Sequence, residues 1–202
     1  MAEDQRENII ACASELMHSV GIRSVSVDDI CARLGISKKT FYVYFETKDL
    51  LVDALLRRRE DDLVEDVEKK TKGKTILNLV VNFQKMIRNL KDVRQIPPVL
   101  YDLQKYYPQQ LHDHLQRLQT INRDILARYL RQGIEEGFFR EDVDVEVTAR
   151  VLAYLHQTMI DQLAKHPAHP TIVTDSKIAM DIFFRGLVSE RGKREIMEQK
   201  SK

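Results

Sequence analysis

Apolar residues return every three or four positions along most of this 202-residue chain, and glycines and prolines punctuate the runs. The first run predicts a helix over about Asp4 to Ser19, with Ile9, Ala13, Leu16 and Val20 on one face, Glu15 and His18 off it, and Gly21 ending it. Two short helical patterns follow, about Val27 to Leu34 and Lys38 to Phe45, with Gly35 between them. A longer helix, about Lys48 to Lys70, turns Leu51, Val52, Leu55 and Leu63 inward; the charge run Arg57 to Asp62 reads as its solvated face. The polar stretch Lys69 to Lys74 reads as a turn between domains. Helices are then expected at about Thr75 to Asp92, Val99 to Tyr107 between Pro98 and Pro108, Gln109 to Glu136, Val145 to Lys165 and Asp175 to Glu190. The sum is an all-α chain of about nine helices with no strand pattern.

Composition agrees with that reading. Seven glycines and five prolines are few, and leucine, glutamate, lysine and arginine are plentiful. The length allows a small N-terminal domain and one larger one, placed here at 1–47 and 48–191 with a polar C-terminal tail over 192–202. No apolar run reaches membrane-spanning length and the charged N-terminus lacks a signal-peptide pattern, so a cytoplasmic location is expected.

The chemistry concentrates between Ser26 and Leu51. Ser26 suits an N-cap, with Asp28 and Asp29 in the first turn; Gly35 falls where a chain leaving a helix needs a left-handed residue; Ser37 suits a second N-cap. In the second short helix Phe41 and Phe45 share one face, while Lys39 and Val43 share the opposite one. A helix, a glycine turn and a second helix led by Lys38 and Lys39 form the helix-turn-helix pattern, whose second helix enters the DNA major groove by its N-terminal end. Lys38, Lys39 and Thr40 can meet base edges or phosphates, and Val43 a thymine methyl; Tyr42 and Lys48 offer donors at the flanks, with Ser26 and Ser37 beside the helix starts. The whole chain carries only +1, but Arg33, Lys38, Lys39 and Lys48 against Glu46 make this stretch positive by 4 − 1 = 3, which implies specific dimeric contacts more than bulk attraction.

At these residues the chain resembles the DNA-binding domain of the TetR family of bacterial transcriptional regulators. The resemblance is carried by Ala13, Leu16, Gly21, Ser26, Ile30, Gly35, Ser37, the block Thr40 to Phe45, and Lys48, Leu50 and Leu51; Cys31 stands where alanine is usual. It covers roughly the first quarter of the chain. It implies an N-terminal three-helix helix-turn-helix domain followed by a helical ligand-binding and dimerisation domain. It implies a homodimer on a palindromic operator of double-stranded DNA, most simply a repressor released by a small apolar or amphipathic effector.

In such a protein the last two long helices pair with their copies, which nominates Val151, Leu155, Met159, Ile178, Ile182, Phe183 and Gly186 for the dimer interface. Effector-lining candidates are Phe83, Met86, Ile87, Leu103, Tyr106, Leu118, Ile121 and Tyr154, with His114 and His156 as polar anchors. The same apolar stripe equally describes plain core.

Other chemistry has no visible home. His112 and His114 face different sides of one helix, and His166 and His169 sit in a proline-containing loop, so no metal is expected. Cys12 and Cys31 read as inert buried thiols. Without a phosphate loop, nucleophile elbow or carboxylate pair, neither a cofactor nor catalysis is expected. The alternative to a DNA-binding regulator is a TetR-like adaptor or coactivator that acts through protein contacts.

Overall fold

Each interruption of the apolar periodicity becomes a helix boundary. The computed structural model describes residues 2–79, 98–165 and 171–200, and places nine named helices among them. They are α1 (Ala2–Val20), α2 (Val27–Leu34), α3 (Lys38–Tyr44), α4 (Lys48–Thr71), α5 (Pro98–Tyr106), α6 (Pro108–Glu135), α7 (Val145–Lys165), α8 (Ile172–Leu187) and α9 (Glu190–Lys200). Residues 76–79 are helical as well. No helix among the described residues is long and apolar enough to cross a membrane.

The chain forms two compact units. The first holds Met1–Glu65 and Ile96–Arg117; the second holds Asp66–Gln95 and Leu118–Lys202. This division differs from a cut after residue 47, because α5 and the start of α6 share the core of the N-terminal helices. Ile9, Ile10, Ala13, Met17, Ile30, Phe41, Phe45, Leu51, Val52 and Leu103 are all buried there, with Val99, Tyr107 and Leu111 packed against them. Burying each large apolar side chain contributes roughly 1.5–3 kcal/mol, so these contacts hold the short helices α2 and α3, which are too short to persist alone.

In the second unit Ile76, Ala127, Leu130, Phe138, Phe139, Ala149 and Val188 form the core. Phe138 and Phe139 follow the end of α6. Both are buried, their rings meet edge to face at 5.3 Å, and both lie beside Phe184. The turn that carries them is clamped to the α8–α9 connection: Arg140 N donates to Leu187 O at 3.0 Å, Ser189 N to Phe138 O at 3.0 Å, and Ser189 Oγ to Gly137 O at 2.8 Å.

Several expectations need correcting. Val20 is 54% exposed, and Met17 takes its place in the core. Leu63 is 37% exposed rather than inward. Glu60, placed on the solvated face by its charged neighbours, is buried at 5% exposure. It sits one turn after Leu56 on the Val52–Leu56 stripe, and its carboxylate accepts from Arg117 Nε at 2.8 Å and from His114 Nδ1 at 2.5 Å. Residues 192–200 of the expected tail form most of α9.

Candidate nucleic-acid interface

Local hydrogen bonds build the head from α2 and α3. Ser26 has extended backbone angles, its Oγ accepts from Asp29 N at 3.1 Å, and Asp29 Oδ2 accepts from Ser26 N at 2.8 Å, a reciprocal capping box. The Ser26 hydroxyl and amide hold the Asp29 carboxyl below its ordinary pKa. Gly35 then adopts φ 65, ψ 31, and Ile36 N returns to Cys31 O at 3.0 Å. An L side chain is strained in that left-handed region, which is why glycine stands here. Ser37 Oγ accepts from Thr40 N at 3.0 Å and starts α3.

One face of α3 is anchored and the other is open. Phe41 is fully buried and Phe45 is 3% exposed, their rings 6.0 Å apart, and the Arg6 guanidinium lies 5.2 Å from the Phe45 ring. Opposite them, Lys39 is exposed, Val43 is 74% exposed and Tyr42 is 48% exposed, its ring meeting Phe41 edge to face at 5.5 Å. An ammonium, a phenol and a branched apolar tip therefore stand together on a rigid surface.

The four cations of this stretch are not equivalent. Arg33 pairs with Glu15 at 2.8 Å, and Lys38 with Asp28 at 2.8 Å, a contact that raises the Lys38 pKa. Lys48 departs from the outward placement expected of it. Its Nζ donates to Ile22 O at 2.6 Å and to Val25 O at 2.5 Å, and burial pushes its pKa down. Lys48 thus ties the start of α4 to the α1–α2 turn, while Thr47 Oγ1 accepts from Leu50 N at 3.2 Å as a cap. Of the four, Lys39 is the one without an ionic or hydrogen-bonding partner among the described residues.

The effector candidates separate between the two units. Leu103 belongs to the core of the first unit, so it does not line a recess in the second. His114 is likewise in the first unit, bonded to Glu60 and buried. Tyr106 there lies under the Arg23 guanidinium, 4.4 Å from its ring centre. Leu118, Ile121 and His156 are in the second unit, where Asn122 Nδ2 lies 3.3 Å from His156 Nδ1. Tyr154 precedes His156 by two residues, which turns it roughly 200° away around α7, and it is exposed with Val147 on another stripe. Phe83, Met86 and Ile87 lie outside the described residues.

Sequence reasoning passed over Asn122, although a lone amide between Ile121 and Ile125 on an apolar stripe was a visible signal. It also passed over Glu60, whose register with Val52 and Leu56 was equally readable. The dimer candidates lie on α7 and α8, which pack on each other. Ile178 and Ile182 are 55% and 64% exposed, Gly186 faces open space, and Val151, Leu155, Met159 and Phe183 are half-buried. No group of three or more His, Cys, Asp or Glu among the described residues could hold a metal ion.

A capped helix-turn-helix with an exposed second helix defines a class of DNA-binding transcriptional regulator. Residues 9–55 match the family described as "Bacterial regulatory proteins, tetR family". The chain is 28% identical over 154 residues to the HTH-type transcriptional repressor KstR2 of Rhodococcus jostii, covering 73% of this chain and 74% of that one. It is 34% identical over 70 residues to the regulator EthR of Mycolicibacterium smegmatis, covering 33% of this chain and 32% of that one.

Solved structures share the fold over nearly the whole length. A TetR-family regulator from Pectobacterium atrosepticum matches with a TM-score of 0.71 at 16% identity, covering 94% of this chain and 96% of that one. A TetR-family regulator from Cytophaga hutchinsonii matches with a TM-score of 0.67 at 15% identity, covering 94% and 97%. Residues 9–55 therefore match the DNA-binding domain of the TetR family, and the chain shares the fold of the solved TetR-family regulators.

Proposed function

We propose that this protein is a homodimeric repressor that binds a palindromic operator and leaves it when a small apolar or amphipathic effector occupies the second unit. The observation that carries the reading is the surface of α3, where Lys39, Tyr42 and Val43 stand outward on a helix held from behind by Phe41 and Phe45. Ser26, Ser37, Lys38 and Thr40 flank that surface and contribute phosphate contacts, whereas Lys48 positions the head through the α1–α2 turn. Lys38 reaches DNA by exchanging Asp28 for a phosphate or base edge.

One such helix reads only a few base pairs; two copies in successive major grooves, roughly 34–36 Å apart, read a symmetric site. Ile178, Ile182 and Gly186 supply the open face on which the copies join, and similarity to a repressor across three-quarters of the chain favours repression. An effector that prefers the arrangement unable to span two grooves by about 1–3 kcal/mol lowers DNA affinity some 5- to 150-fold.

The test is selection of bound sequences from random duplex DNA by the purified protein, followed by gel shifts with Lys39→Ala and Tyr42→Ala. The expected result is a palindromic site, with each variant losing roughly 1–3 kcal/mol of specific binding while remaining dimeric. Failure to enrich any sequence, or variants that bind the selected site as well as the parent, would overturn the reading.

A further inference from the structure

The turn from Gly21 to Val25, between α1 and α2, is held by charged side chains of two later helices. From α4, Lys48 Nζ donates to Ile22 O and Val25 O, and from α5 the Asp102 carboxylate accepts from Arg23 N at 2.8 Å. Asp102 is buried at 8% exposure beside Leu103 of the head's core, and its charge attracts Lys48. A cation and an anion from different helices thus meet on one short stretch of backbone.

Arg23 is held by α5 a second time. Tyr106 follows Asp102 by one helical turn, so both lie on one side of α5, and the Arg23 guanidinium stands 4.4 Å from the Tyr106 ring centre. Backbone and side chain of one turn residue are therefore both tied to α5. Three residues later Ser26 caps α2, and the Gly35 turn joins α2 to α3, so the place of the turn decides where Lys39, Tyr42 and Val43 stand. Through Tyr107 the chain runs from α5 into α6, whose residues from Leu118 onward belong to the second unit.

The structure assigns Asp102 the role of a positioning residue for DNA reading: with Tyr106 it fixes the α1–α2 turn to α5, so that the position of α5 sets the register of α3 on the operator. The inference rests on the DNA-binding reading given above and deepens it by naming what holds that surface in place. Base-edge contacts need side chains kept in register, whereas phosphate contacts from long flexible cations tolerate a shifted helix. Loss of the grip therefore weakens binding to the operator more than binding to unrelated duplex DNA. A residue that only stabilised the fold would weaken both by the same factor, through the fraction of protein folded.

The experiment titrates the full-length protein onto the selected operator and onto a duplex of scrambled sequence, at one salt concentration, and reads fluorescence anisotropy. Asp102→Ala is expected to lower the ratio of the two affinities by about tenfold, the weight of one hydrogen bond to a charged group, with binding to the scrambled duplex nearly unchanged. Asp102→Asn, which keeps an oxygen to accept from Arg23 N, is expected to recover most of that ratio. Tyr106→Leu, at a site 38% exposed, is expected to lower it by about threefold and keeps the test decisive should Asp102→Ala not fold. A ratio unchanged in every variant that folds, equal losses on both duplexes, or Asp102→Asn as poor as Asp102→Ala would overturn the proposal while leaving the DNA-binding reading standing. A parent that enriches no sequence would overturn both together.

Discussion

Lys39 and Lys48 are the same residue type nine positions apart, and the fold puts them to opposite uses. Lys39 stands on the open face of a helix whose other face is filled by phenylalanine, so its charge is available to a partner. Lys48 directs two of its three donors at carbonyl groups of the α1–α2 turn, Ile22 O and Val25 O. Nothing in the local sequence separates the two, since each stands in the first turn of a helix with a hydroxyl cap, Ser37 or Thr47.

His156 allows a residue-scale prediction with a definite sign. Its folded pKa lies below the ordinary 6.5, so as pH falls the unfolded chain takes up the proton first. The stability due to the neutral ring is complete above about 6.5 and is lost as pH drops through and below that value. Thermal melts across this range should show His156→Gln losing less stability than the parent. Parallel pH profiles would place the imidazole in an ordinary solvated position.

At the scale of elements, α4 is the helix whose reading changed most. Its apolar register was legible, and Leu51, Val52 and Leu56 are buried. What the charge run concealed is that Glu60 continues that register and meets α6. Arg117 Nε donates to both carboxylate oxygens, at 3.0 and 2.8 Å, and His114 Nδ1 is hydrogen-bonded to Glu60 Oε1 at 2.5 Å. Glu60→Ala leaves buried His114 and partly solvated Arg117 without their shared carboxylate and is expected to destabilise the protein by about 3 kcal/mol in urea unfolding, since breaking a buried pair from one side costs about 3–5 kcal/mol. Glu60→Gln, which keeps an acceptor, is expected to cost less. A change of under roughly 0.5 kcal/mol for Glu60→Ala, the range of surface substitutions, would show the cluster to be open to water.

For the whole molecule the decisive feature is the stripe left open on α8. Ile178 and Ile182 are more exposed than side chains of their size usually are on a finished surface, and Gly186 continues the stripe with no atom near its missing side chain. In a symmetric pair a glutamate at position 182 meets its own copy or apolar surface, and like charges so placed cost several kcal/mol. Light scattering at micromolar concentration is therefore expected to find Ile182→Glu monomeric and the parent dimeric. The monomer should bind a half-site weakly and the full palindrome no better. A dimeric Ile182→Glu would move the interface off α8.

Turn chemistry, caps and apolar spacing are local properties, so the sequence by itself determined the helices of the head, the glycine turn at Gly35 and the outward face of α3. Hydrogen-bond partners distant in the chain are not local, and the tertiary structure alone decided that Glu60 meets His114 and Arg117, that Lys48 faces inward and that Leu103 belongs to the first core. Gly133 shows the physical reason most directly. It lies within α6, where glycine costs helix stability, and a Cβ there would come within 2.2 Å of the Phe139 ring. The helix gives up a side chain so that a phenylalanine six residues later can fold back into the core, a requirement that no spacing along the chain expresses.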